Sequence, residues 1–226
     1  MSAVSGCASQ ASSPKPAAAQ ARTLSQKELE AARLTQGEAS GYGVALGNET
    51  PADMKPVVTT TTPEICLPAM KLLRHGWADG AVGYTRFHLS DPANSVGAKS
   101  VALTSYPPGQ AKQVFASVEK SLKACPSVVY KSVHSVRAKL TLGGPLEPGD
   151  ESLRVNMDFS MNGIENHTVY GLVRSSDVLV WFNINETFGS TLPKQKKADF
   201  MPVLPTDLVL RQVEKVEAAL EATATP

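Results

Sequence analysis

Hydrophobic and polar residues alternate most regularly between Glu151 and Glu186. Leu153, Val155, Met157, Phe159 and Met161 are interleaved with Arg154, Asn156, Asp158 and Ser160. Such a period of two sends the two sets to opposite faces of a strand. Asn162-Gly163 follows at once and suits a two-residue turn in which both positions need positive φ. Pairing Met161 with Ile164 then sets Met157 beside Thr168, Val155 beside Tyr170 and Leu153 beside Leu172. The second turn, around Ser175-Ser176-Asp177, admits two registers. A three-residue loop brings Leu172 beside Val180, Tyr170 beside Phe182 and Thr168 beside Ile184, which makes one continuous apolar face. A two-residue loop turns Val178, Val180, Phe182 and Ile184 toward the polar side. The pattern favours the three-residue loop and a three-stranded meander. One of its faces is core, and the other is mixed, carrying Asp158, His167, Trp181 and Asn183.

Ahead of the meander, Ser25-Gln26-Lys27-Glu28 is a capping box with Leu24 and Leu29 as its hydrophobic staple, predicting a helix from Gln26 to Leu34. Short strands are expected at Tyr42 to Leu46 and Pro56 to Thr62, and a short helix from Ile65 to Arg74. Two further strands, Ala81 to Leu89 and Ala98 to Tyr106, flank the turn-rich Ser90 to Asn94. After Pro107-Pro108-Gly109 a helix runs to Ala124, with Ala111, Val114, Phe115, Val118 and Leu122 on one face. Val128 to Leu140 reads as one strand and Gly143 to Gly149 as a loop. An irregular stretch follows Thr187 as far as Pro205. Thr206 then caps a last amphipathic helix aligning Val209, Val213, Val216 and Leu220. Together these predict an α+β fold: one domain over residues 24–222, a twisted antiparallel sheet with helices packed on it.

Composition narrows the classes. A formal net charge of +1 argues against a nucleic-acid partner. No apolar run reaches about 18 residues, so no helix within the sequence is expected to span a bilayer. Cys7, Cys66 and Cys125 are too far apart for a C-x-x-C centre, and the histidines at 75, 88, 134 and 167 lack H-x-x-x-H spacing. No metal or cofactor is expected. G-x-S-x-G and the kinase signatures are absent, so no catalytic residue is assigned. Asn48, Asn166 and Asn185 open glycosylation sequons that we read as accidental, and Lys194, Lys196 and Lys197 form a small basic cluster of the kind usual in a solvated loop.

The N-terminus adds an address. Val4-Ser5-Gly6-Cys7 resembles the lipobox of bacterial lipoproteins, in which the cysteine is lipidated; a chance match of four residues is the alternative. The charged and apolar stretches that precede a lipobox are not in this sequence, so the lipoprotein reading takes the start as placed late or the leader as already removed. Of the fifteen residues from Ala8 to Arg22, eleven are Ala, Ser or Pro and none is large and apolar. Such a segment cannot offset its ordering entropy by burial, and residues 1–23 read as an anchor and tether, residues 223–226 as a tail. With Cys7 assigned to lipid, Cys66 and Cys125 are the natural disulfide pair in an exported protein. Two separate buried thiols are the other possibility.

Leu24 to Val44, with its Leu-Thr-Gln-Gly-Glu-Ala-Ser-Gly-Tyr-Gly-Val run, resembles the opening of actinobacterial sensor-domain lipoproteins. Cys66, the segment Tyr106-Pro-Pro-Gly-Gln-Ala-Lys-Gln-Val-Phe115, and Leu122-Lys-Ala-Cys125 are similar to the extracytoplasmic domain of mycobacterial receptor serine/threonine kinases. The resemblance implies an antiparallel sheet flanked by helices, a cysteine at the end of a helix bonded back to the N-terminal half, and a cleft for a ligand. The second disulfide of those domains has no counterpart here. The expected function is that of a non-catalytic, sensor-like lipoprotein domain outside the cytoplasm, anchored to the outer face of the cell membrane. Its partner would be a small ligand or an envelope protein. An envelope carrier of apolar molecules and, less favoured, a hydrolase using His167, Asp158 or another pair are the alternatives. Candidate ligand-binding residues are Trp181, Asp158, His167 and Asn183. In the expected register Asp158 faces His167, and Trp181 lies over Gly171 as a packing device or a stacking wall.

Overall fold

The computed structural model describes residues 23–39, 41–47, 58–91, 94–131 and 134–222. Cys7, the tether, the tail and part of the expected Pro56 to Thr62 strand lie outside the described residues.

Among the described residues nine strands form one antiparallel sheet: β1 (Gly43–Leu46), β2 (Thr61–Thr62), β3 (Gly83–Asp91), β4 (Asn94–Ser105), β5 (Ser127–Lys131), β6 (Ser135–Leu142), β7 (Glu151–Met161), β8 (Ile164–Ser175) and β9 (Val178–Gly189). Their spatial order is β1-β3-β4-β9-β8-β7-β6-β5-β2. The α-helices among the described residues are α1 (Gln26–Ala31), α2 (Leu67–His75), α3 (Gln110–Ala124), α4 (Lys194–Ala198) and α5 (Thr206–Ala222). The expected α+β architecture is present.

Local chemistry accounts for the helix ends. At α1 the Ser25 hydroxyl accepts from the Glu28 N–H, and the Glu28 carboxylate accepts from the Ser25 N–H, 2.7 Å away. Leu24 and Leu29 are both fully buried, as a hydrophobic staple requires. α2 follows a 3-10 turn at Glu64–Cys66 and stops at Gly76, whose φ of 78° is one that glycine adopts freely. α3 has no side-chain cap of its own. Instead the N–H of Gly109, just before it, donates to Oδ1 of Asp177 in the β8–β9 turn, 2.7 Å away.

The meander is present with one register corrected. β7 and β8 pair as expected, Met161 with Ile164 and Asp158 with His167, and the Asn162-Gly163 turn has φ of 54° and 75°. The second turn is the shorter one. Ser175 pairs with Val178, so Leu172 lies beside Trp181 and Tyr170 beside Asn183. Ser176 takes a left-handed φ of 53°, and the loop is held from outside: its N–H donates to Asp150 and its carbonyl accepts from Arg174.

This register does not bring apolar residues into water, because the sheet has two covered faces. On one face α2 and α3 pack over Tyr84, Ala102, Trp181, Leu172, Val155 and Leu140. On the other, α1 and α5 pack over Phe87, Val101, Phe182, Val180 and Val173. The expectation of one core face and one mixed face is thereby corrected. Gln212 of α5, fully buried, donates to the carbonyl of Ala32 and accepts from the N–H of Leu34, pinning α5 to the end of α1. The expected Val128 to Leu140 strand is two strands, β5 and β6, and the irregular stretch after Thr187 contains α4.

Candidate functional site

Asp158, His167, Trp181 and Asn183 do not form one site. The corrected register puts Asp158 and His167 on the α1–α5 face and Trp181 and Asn183 on the α2–α3 face. Nor does Trp181 cover Gly171. Phe182 does, together with Leu204, whose Cδ2 would lie 2.8 Å from any Cβ placed there.

Asp158 and His167 do meet. Oδ1 and Nδ1 are 2.7 Å apart, and Nε2 is 3.5 Å from Glu165 Oε2. Phe188 stacks on the imidazole at 5.0 Å. Glu165 is in turn bonded to Lys197 at 2.7 Å, and the Lys197 ammonium holds its carboxyl below the usual range. A carboxylate stands toward each ring nitrogen, Asp158 within hydrogen-bond distance of Nδ1 and Glu165 short of a hydrogen bond to Nε2. Among the described residues no hydroxyl or thiol is hydrogen-bonded to the imidazole. A shallow pocket of about 200 Å³ adjoins Asp158, between the sheet and the strap Met201–Leu204.

The disulfide joins Cys66 to Cys125, with Cα atoms 5.6 Å apart. It ties the turn before α2 to the end of α3, and both cysteines are fully buried. Along the outer side of this helix pair runs a groove of about 470 Å³. Leu67, Pro68, Val114 and Val118 give it apolar walls, and Lys71, Asp79, Gln110, Gln113 and Ser117 supply polar groups. Its size and mixed lining suit a small organic ligand. These residues come from α2, the loop after it and α3, segments distant in sequence that no local motif could signal.

The α2–α3 face also carries a cluster under the C-terminal end of α2. Arg86 donates to the carbonyl of His75 at 2.7 Å, closing the helix end. Its guanidinium lies 5.1 Å from the Trp181 ring, and Gly76 covers the indole closely enough that a Cβ there would sit 3.0 Å from it. Tyr170 is 6.0 Å from Trp181 between ring centroids, and Arg74 lies 5.8 Å from the Tyr130 ring. Burial pushes the Tyr170 hydroxyl pKa upward while Arg74 draws it back down. His75 is held at about 4, first by burial and then by the positive charges of Arg74, Arg86 and Lys71.

No protein-family model and no curated protein matches the chain. Among solved structures it is similar to the extracellular domain of PknH from Mycobacterium tuberculosis. The match covers 87% of this chain and 98% of that one, with a TM-score of 0.54 at 14% identity. The two share a fold. A Mycobacterium smegmatis protein described as an Rv0999 ortholog aligns over 86% of this chain and 95% of its own at 14% identity, with a TM-score of 0.37 that supports no argument. The PknH-type fold agrees with the resemblance read from Cys66, the Tyr106 to Phe115 segment and Cys125, and at this identity the agreement concerns architecture alone.

Proposed function

We propose that this chain is a non-catalytic, sensor-like domain outside the cytoplasm, held to the outer face of the cell membrane by a lipid on Cys7, and that it binds a small ligand in the α2–α3 groove. The observation that carries the reading is the correspondence with nearly the whole PknH extracellular domain, 98% of its length. The Cys66–Cys125 disulfide supports an oxidising compartment. The groove's mixed lining, apolar walls beside polar groups, supports a small polar-tipped ligand rather than an apolar carrier's cargo.

The test is to incubate the disulfide-bonded chain with an envelope extract, remove unbound material, denature, and identify released small molecules by mass spectrometry. Ser117→Trp fills the groove from the exposed side of α3. The reading predicts a molecule enriched on the native chain and lost from S117W at unchanged melting temperature. Equal recovery from both would contradict the groove assignment, and recovery of membrane lipid would favour the carrier.

A further inference from the structure

Under the C-terminal end of α2, positive charge and unused donors are concentrated in one place. Arg86, Ala102, Trp181 and Leu172 make one row across β3, β4, β9 and β8, and His88, Ser100, Asn183 and Tyr170 make the next. Four buried polar atoms here have no hydrogen-bond partner: Nε of Arg86, the Tyr170 hydroxyl, Nε1 of Trp181 and Oδ1 of Asn183. Tyr170 and Trp181 are each only 1% exposed. Arg74 and Thr168 lie near enough to the Tyr170 hydroxyl to act on its ionisation without reaching hydrogen-bond geometry. Folded proteins leave few buried polar atoms unbonded, and the three of these that are donors call for an acceptor.

The chemistry of the donors says what kind. Guanidinium and indole nitrogens only donate, and a phenol hydroxyl can donate. Among the described residues, the arginine–carboxylate ion pairs are those of Arg174; Arg74 and Arg86 make none. Two guanidinium charges without a counter-charge, beside three unused donors, are complementary to an oxyanion. The depressed pKa of His75 agrees with a positive surrounding.

We propose that Arg74, Arg86, Tyr170 and Trp181 form a binding site for a small molecule bearing a carboxylate or phosphate. Its oxyanion accepts from Arg86 Nε, Trp181 Nε1 and the Tyr170 hydroxyl, and the two arginines balance its charge. The site shares no residue with the α2–α3 groove, so either can fail without the other.

The chain holds two tryptophans, Trp77 and Trp181, so a proton–nitrogen correlation spectrum shows two indole signals, and Trp77→Phe identifies that of Trp181. Sodium acetate and inorganic phosphate are titrated separately into the disulfide-bonded chain, against sodium chloride at matched ionic strength. The Trp181 signal should move saturably with acetate, with phosphate or with both, naming the oxyanion, and stay still with chloride. Tyr170→Phe keeps the buried ring and removes only its hydroxyl, and an unchanged melting temperature checks that the fold is intact. The substitution should weaken oxyanion binding about tenfold, as should Arg74→Gln. A Trp181 signal unmoved by both oxyanions, one that follows chloride equally, or Tyr170→Phe binding as tightly as the native chain would overturn the proposal.

Discussion

Replacing Cys66 and Cys125 together by alanine should lower the stability of the domain by about 4 kcal/mol. The disulfide closes a loop with a sequence separation of 59, and the chain-entropy relation gives about 4 kcal/mol for a loop of that length. It ties the start of α2 to the end of α3. For a domain of this size a change of that magnitude corresponds to a fall in melting temperature of about 8–16 °C. Urea titrations followed by circular dichroism, on the native chain, the double alanine variant and the native chain under reductant, measure it directly. The reduced native chain should approach the variant. A loss below about 1 kcal/mol, or a native chain indifferent to reductant, would refute the reasoning that the bond restrains the unfolded chain.

Three further outcomes follow from single positions. Gly76→Ala should destabilise by about 2 kcal/mol or more, because φ is 78° and the new Cβ would lie 2.9 Å from Ala102 Cβ; urea titration measures the loss and near-ultraviolet circular dichroism the disturbed indole. Asp177→Ala should cost about 1–3 kcal/mol by leaving the Gly109 N–H unbonded, while Asp177→Asn, which keeps the acceptor, should restore most of it in the same assay. The neutral form of His75 is favoured in the folded state, so its contribution is present above the unfolded pKa of 6.5 and lost as pH falls from 6.5 to about 4. That contribution is up to about 3 kcal/mol, and His75→Gln should flatten the stability profile in this window.

Features with strong local signals were legible in the sequence. The Asn162-Gly163 turn set the β7–β8 register because both positions take positive φ, and the Ser25–Glu28 box set the start of α1. The Cys66–Cys125 pair was legible from cysteine number and address. What escaped depends on tertiary structure. Flipping Val178, Val180, Phe182 and Ile184 carries no penalty when α1 and α5 cover the second face, so alternation could not choose between the turns at Ser176. Contacts from Asp150 and Arg174 hold the shorter loop. The same slip placed Trp181 and Asn183 with Asp158 and His167, which the sheet in fact separates. No glycine or proline marks the break between β5 and β6. α4 is short and has no buried residue, so it shows no apolar period.

Intact mass of the natively expressed chain, before and after reduction and alkylation, tests whether this sensor-like domain works outside the cytoplasm. A diacylglyceryl-sized addition at Cys7, no alkylated thiol before reduction and two after it are expected. A chain without lipid and with all three thiols free would contradict that location.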